Sequence, residues 1–306
     1  MKILVTGGTG FIANELLSSL PEHGHDGINL ERYVAGRYSE QKKFNTVFGD
    51  LNDAAHVRNI IKDVQPEIVV HFAALTSVAY SYEHPLEVID ANFIGTVNLA
   101  EACLKEAKNL KKMVFTSSVE TYKDTPGIPQ DEDRTPQEPD SPYGVTKVAA
   151  EKYLLYLFRN RKFPVTILRQ SNTYGRKRDS NFIVERIITQ MLKGGPVNLG
   201  SPEPIRDFLY ISDLINAHLK IIDSNIQPGQ IINISTSKGT SIRELAQIIA
   251  HQTGFKDKIN WNSIPPRPRE IKWLVADNTK ARDILKWEPK IDLEEGINRT
   301  IERWKR

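Results

Sequence analysis

The chain has 306 residues, enough for one large domain or two intimately joined ones with an ample core. Apolar residues at 40% and charged residues at 26% are ordinary for a globular protein, and a net charge of +3 without any Lys/Arg run is too small to argue for a nucleic-acid partner. The lone cysteine, Cys103, excludes an internal disulfide, and no apolar stretch approaches the roughly 20 residues that cross a bilayer, so a cytoplasmic protein without membrane association is expected.

In chain order, residues 2–6 (Lys-Ile-Leu-Val-Thr) form an apolar run that predicts a buried first strand, and residues 10–20 carry helical periodicity. The second strand is expected at residues 33–37 (Tyr-Val-Ala-Gly-Arg). A helix is predicted over 53–64, ending before Pro66, and a strand with almost no polar interruption over 68–73. Long helices follow at 85–107 and 143–161, separated by a strand at 112–116. Four prolines and several acids make 123–140 a loop. After a strand at 165–169 the rhythm is irregular, with a helix near 182–193, a strand near 230–236 and a helix near 241–253. This alternation predicts an α/β fold with a doubly wound parallel sheet. No repeat or flexible linker separates independent units. Cys103 lies in a helical stretch and reads as a small core residue.

Two segments carry chemistry. Thr6-Gly7-Gly8-Thr9-Gly10-Phe11-Ile12-Ala13 is a strand running into a glycine turn and a helix, whose backbone N–H groups are placed to receive a pyrophosphate; a tight strand-to-helix connection is the plain alternative. Ser141-Pro-Tyr143-Gly-Val-Thr-Lys147 puts a phenol and an ammonium four residues apart on one helix face, so the cation can lower the phenol pKa. Thr116-Ser-Ser118 follows an apolar strand, and Gly49-Asp50-Leu51-Asn-Asp53 follows the second strand region.

With these segments the chain resembles, over essentially its whole length, the extended short-chain dehydrogenase/reductases, the nucleotide-sugar epimerases and dehydratases, and looks most like the GDP-mannose 4,6-dehydratase branch. The resemblance implies a Rossmann domain over residues 1–170 with about 208–235, and an interleaved, smaller α/β substrate lobe over 171–207 with 236–306. It implies an NAD(P) cofactor met by Gly7, Gly10, Phe11, Ile12, Asp50, Leu51, Ala73, Tyr143 and Lys147. Ala13 replaces the last family glycine, which serves helix–strand packing more than phosphate contact. Asp50 matches the adenine-contacting position; capping of the next helix is the alternative. Gly36 matches the position of an NAD-selecting acid, and Arg37 beside it weakly favours NADP through a paired phosphate.

The resemblance also implies that Tyr143 is the base for a sugar C4 hydroxyl, that Lys147 supports its phenolate, and that Ser118, or Ser117 beside it, bonds the developing ketone oxygen. Glu120 falls on the position that removes the C5 proton in dehydratases, whereas Val119 stands where thymidine-linked dehydratases have an acid, and Lys123 replaces a usual glycine. A nucleotide-diphosphate sugar would be held by Ser77, Ser81, Asn172, Arg206 and Arg267; Arg176-Lys-Arg178 reads as a solvated loop. No metal is expected. The implied reaction is 4,6-dehydration; a UDP-glucose-type 4-epimerase or a 4-keto-sugar reductase is the alternative, and a non-catalytic NAD(P)-sensing module a remote one. A homodimer through the helices near 85–107 and 143–161 is implied as well.

Overall fold

The computed structural model describes residues 1–32, 44–176 and 181–305. The chain divides into two compact units. The first is Met1–Thr121, Ser141–Arg169 and Ile215–Ile232; the second is Tyr122–Asp140, Gln170–Leu214 and Asn233–Arg306.

The first unit is built on a seven-stranded sheet: β1 (Lys2–Thr6), β2 (Asp26–Glu31), β3 (Asn45–Phe48), β4 (Ile68–His71), β5 (Lys112–Ser118), β6 (Val165–Gln170) and β7 (Ile231–Ile234). Their order is β7-β6-β5-β4-β1-β2-β3, and β1 pairs in parallel with both β2 and β4. The β2–β3 and β4–β5 pairs are parallel too. β1 and β4 are buried on both faces, which is why they read as unbroken apolar runs. This is the doubly wound sheet that the alternation predicts. Its order reverses direction between β1 and β4, so the crevice for a ligand lies beyond the ends of those two strands, at Thr6 and His71.

Helices α1 (Phe11–Ser19), α2 (Ala54–Val64), α3 (Gly95–Glu106) and α4 (Pro142–Arg161) belong to this unit. Asp53 caps α2 through a bond from the His56 N–H, and Val57, Ile60, Ile61 and Val64 form its buried stripe. These pack with Leu4, Leu30, Leu99 and Cys103 in the main core. Cys103 is the small core residue expected, and burial pushes its thiol up to about 12.

Two expectations are corrected here. The strand beside β1 is Asp26–Glu31, while residues 33–37 lie outside the described residues. Asp26-Gly27 opens this strand and Glu31 closes it, so only Ile28 and Leu30 mark it as apolar. The helix expected over 85–107 is interrupted: Pro85–Ile89, a π-helical turn Asp90–Ile94, then α3. That turn carries Asn92 into the interior, where its side chain exchanges bonds with both the N–H and the C=O of Leu75, at 2.7 and 3.0 Å.

In the second unit Ile205–Arg206 pairs with Thr240–Ser241 and Trp273–Leu274, and Asn172–Tyr174 pairs with Phe208–Tyr210. Its helices α5 (Ile183–Lys193), α6 (Ile211–Asp223, shared with the first unit), α7 (Ile242–Thr253) and α8 (Leu293–Lys305) follow. Trp287 is fully buried and donates its indole N–H to the Asp213 carbonyl. Among the described residues no helix is long and apolar enough to cross a membrane.

Candidate active site

At the end of β1 the chain turns sharply against Ala73, and Gly7 does so at φ +77°; a Cβ there would lie 3.0 Å from the Ala73 backbone. Thr6 fastens the two strand ends. Its hydroxyl accepts from the N–H groups of Phe72 (3.2 Å) and Ala73 (3.0 Å), so its own proton goes to His71 Nδ1 at 2.7 Å. His71 Nε2 therefore donates to Thr96, which donates to the Asn92 carbonyl. Burial first, and then the Lys147 charge, lower the His71 pKa to about 3, consistent with a neutral ring.

The glycine turn is braced from β2. Gly8 N–H donates to Asn29 Oδ1 and Thr9 N–H to Glu31 Oε2, at 2.9 and 2.8 Å. Gly10 caps α1, and the first α-helical bond runs from Asn14 N–H to Gly10 C=O, so the first-turn amides of residues 11–13 precede the helical ladder. An anion fits this helix terminus, and the turn leaves room for it because residues 7 and 10 carry no Cβ. Ala13 is buried, and its methyl is tolerated. Asp50 is not the helix cap, a role taken by Asp53; it accepts the Asn52 N–H instead. Leu51 lies against Gly95, and its carbonyl accepts from Asn98. Glu31 is the residue the sequence reading missed. It is an acid at the tip of β2, 21 positions after Gly10, where a dinucleotide site hydrogen-bonds the ribose hydroxyls. Arg37 and Gly36 lie outside the described residues.

The second cluster is set by α4. Ser141 caps it by accepting the Gly144 N–H, and Pro142 starts it, so Tyr143 and Lys147 face inward one turn apart. Lys147 Nζ donates to the Thr116 carbonyl at 2.9 Å and lies 4.9 Å from the centre of the Phe115 ring. Burial lowers its pKa to about 8, against the Glu151 carboxylate, which raises it. The Tyr143 phenol is pushed up by burial, pulled down by its hydrogen bond with Ser118, and pushed up again by the Glu120 charge. Ser117, by contrast, donates to Glu151 at 2.5 Å. Of the two candidate serines, Ser118 is the one at the phenol.

Glu120 sits in the short turn Val119–Thr121 after β5, buried, with its N–H donating to the Ser118 hydroxyl. Ser118, Glu120, Tyr143 and Lys147, up to 29 residues apart in sequence, thus form one cluster. Asn92 was also missed; it ties Leu75 to Thr146 on α4. Ser77 caps the short helix Val78–Glu83 and is exposed, whereas Ser81 is fully buried and donates to the Val78 carbonyl.

In the second unit Arg206 is buried and donates to the Ile205 carbonyl and to Glu270 Oε1, at 2.9 Å each. Asp207 beside it collects bonds from Ser171, Thr236 and Ser237. Asn172 opens a strand and Arg267 is exposed. Lys123 is exposed and paired with Glu138. Arg176 is not solvated: it stacks 3.6 Å from the Phe182 ring centre and pairs with the buried Glu185. Lys177 and Arg178 lie outside the described residues.

A glycine turn at the switch point of a doubly wound sheet, facing a helix with a Tyr/Lys pair, defines an extended short-chain dehydrogenase/reductase scaffold. Residues 3–235 match the NAD dependent epimerase/dehydratase family, and the chain belongs to it. It is similar to a putative UDP-glucose 4-epimerase of Methanocaldococcus jannaschii, 36% identical over 98% of this chain and 97% of that one. It is also similar to the dTDP-D-glucose 4,6-dehydratase of Homo sapiens, 32% identical over 98% and 89%. Among solved structures, the UDP-glucose 4-epimerase of Thermus thermophilus in complex with NAD superposes with a TM-score of 0.91 at 30% identity, covering 100% of this chain and 99% of that one.

Proposed function

We propose that this enzyme binds a nucleotide-diphosphate sugar, oxidises its C4 carbinol transiently and then removes water across C5 and C6, as a 4,6-dehydratase. The observation that carries the reading is the buried cluster in which the Lys147 ammonium lies 5.9 Å from the Tyr143 ring centre and their helix α4 packs against the turn that carries Glu120 just after Ser118. A dinucleotide held by its pyrophosphate at the glycine turn would supply a nicotinamide able to accept the C4 hydride and return it. Tyr143 as phenolate takes the C4 hydroxyl proton, Lys147 holds that phenolate, and Ser118 bonds the forming carbonyl oxygen. Glu120 then draws the C5 proton, which the neighbouring carbonyl acidifies, the C6 hydroxyl leaves with that proton as water, and the hydride returns to C6 of the resulting enone.

A 4-epimerase is the second reading. It is favoured by the similarity to UDP-glucose 4-epimerases and by Val119, which offers no acid for a leaving hydroxyl. Incubating the purified protein with a panel of sugar nucleotides, followed by mass spectrometry, separates the two. Loss of one water supports dehydration, an isomer of unchanged mass supports epimerisation, and no change with any sugar nucleotide removes both. Arg206 is the candidate diphosphate partner, although it would have to share its guanidinium with Glu270.

For the cofactor, Glu31 supports NAD over NADP, because a carboxylate at the tip of β2 accepts from a ribose 2′-hydroxyl and repels a 2′-phosphate. Glu31→Ala is expected to weaken NAD binding about 10- to 100-fold, the range of a lost charge-assisted hydrogen bond, and NADP binding much less. Equal losses for both dinucleotides would assign Glu31 to bracing Thr9 alone. A homodimer is supported by the exposed apolar side chains Leu86, Ile89, Val145 and Tyr156 on Pro85–Ile89 and α4. Sedimentation at the mass of one chain would exclude it.

A further inference from the structure

Helix α4 carries a third ionisable side chain on the face of Tyr143 and Lys147. Glu151 lies at the same four-residue spacing beyond Lys147 that Lys147 keeps from Tyr143, and it is fully buried. Arg169 on β6, itself buried, donates to it twice, at 3.0 and 2.6 Å, which compensates the burial of both charges. The same carboxylate accepts from the Ser117 hydroxyl. Ser117 stands between Thr116, whose carbonyl accepts from Lys147, and Ser118, whose hydroxyl accepts the Glu120 N–H and pulls the Tyr143 pKa down. One buried ion pair therefore fastens β5, α4 and β6 together directly behind the phenol and the ammonium.

We propose that Glu151, paired with Arg169, is a positioning residue that fixes the Ser117–Ser118 strand end and the α4 face carrying Lys147 behind the phenol, an inference that rests on the reaction proposed above. Among the described residues, the groups that face Lys147 are Tyr143 and Glu151 on α4, Phe115 and the Thr116 carbonyl on β5, and the neutral His71 on β4, with Arg169 behind Glu151. Burial lowers the Lys147 pKa and Glu151 opposes it. Removing the Glu151 charge leaves burial unopposed and Arg169 uncompensated, so the ammonium loses its proton at lower pH.

Glu151→Gln tests this, since it keeps the shape and an acceptor for Ser117 but discards the charge. In the free protein, the Lys147 ammonium resonance, followed by 15N-lysine NMR and assigned with Lys147→Arg, is expected to titrate about one pH unit lower than in the wild type. The alkaline limb of kcat/KM is expected to move the same way, with kcat reduced on the order of tenfold, as for other groups that orient a reacting side chain. Ser117→Ala should lower kcat without moving either titration. An unmoved resonance in folded Glu151→Gln overturns the inference whatever the activity, as does an equal shift in Ser117→Ala. A shifted resonance in a protein whose wild type turns over no sugar nucleotide overturns the reaction while the electrostatic link stands. Should Glu151→Gln fail to fold, Glu151→Leu with Arg169→Met replaces the pair by apolar side chains, and the same two titrations are read.

Discussion

Tyr143→Phe is expected to lower turnover about 10²- to 10⁴-fold, the range that a positioned general base contributes, while leaving dinucleotide affinity nearly unchanged. The ring is buried against its helix and its hydroxyl meets Ser118, so removing one oxygen deletes the proton acceptor without emptying the site. The lost hydrogen bond costs about 0.5–1.5 kcal/mol of stability, too little to unfold the chain and easily checked by thermal melting. Burial first, and then the Glu120 charge, hold the phenol above its ordinary pKa, and the Ser118 hydrogen bond works against them. Isothermal titration with NAD, run beside turnover measurements, gives both quantities. Full turnover in this variant would remove Tyr143 from the chemistry.

The second large effect is expected at Glu120. Glu120→Gln keeps the volume of a side chain that is 9% exposed but removes its basicity. If Glu120 draws the C5 proton, exchange of that proton with deuterated solvent should fall about 10²- to 10⁴-fold, with C4 oxidation retained in a single turnover. A second sign follows from electrostatics. The Glu120 carboxylate raises the Tyr143 pKa, so its neutralisation lets the phenol ionise at lower pH, and the acid limb of C4 oxidation should move downward. Unchanged C5 exchange would favour the epimerase reading. Loss of both exchange and C4 oxidation would place Glu120 in support of Tyr143 instead.

The parts of the fold that could be read from the chain are those where one local signal suffices. β1, β4 and β5 are buried on both faces and so are written as continuous apolar runs, and the glycine turn announces itself because Gly7 must adopt φ +77° against Ala73. Tyr143, Lys147, Ser118 and Glu120 were legible through their spacing and the family they resemble. β2 was not, since its apolar content is two residues between polar ends, and with it went Glu31 at its tip. The helix over 85–107 was read through without a break because the π-helical turn Asp90–Ile94 contains neither Gly nor Pro to mark it, and the i→i+5 bond from the Gly95 N–H to the Asp90 carbonyl shows only in the folded backbone. Ser81 and Arg176 were misplaced for a related reason: a hydroxyl or guanidinium looks the same in sequence whether it faces solvent or satisfies a buried carbonyl or carboxylate.

By itself, then, the sequence determined the α/β class, the position of the dinucleotide turn and the pairing of phenol with ammonium, because each depends on periodicities of two to four residues that backbone geometry imposes locally. Tertiary structure alone decided which serine meets the phenol, that an acid ends the second strand, and that Glu151 and Arg169 stand behind the lysine. Those contacts join strands and helices far apart along the chain, and burial makes them matter, since a charge or hydroxyl removed from water takes its energy from whichever partner the fold brings to it.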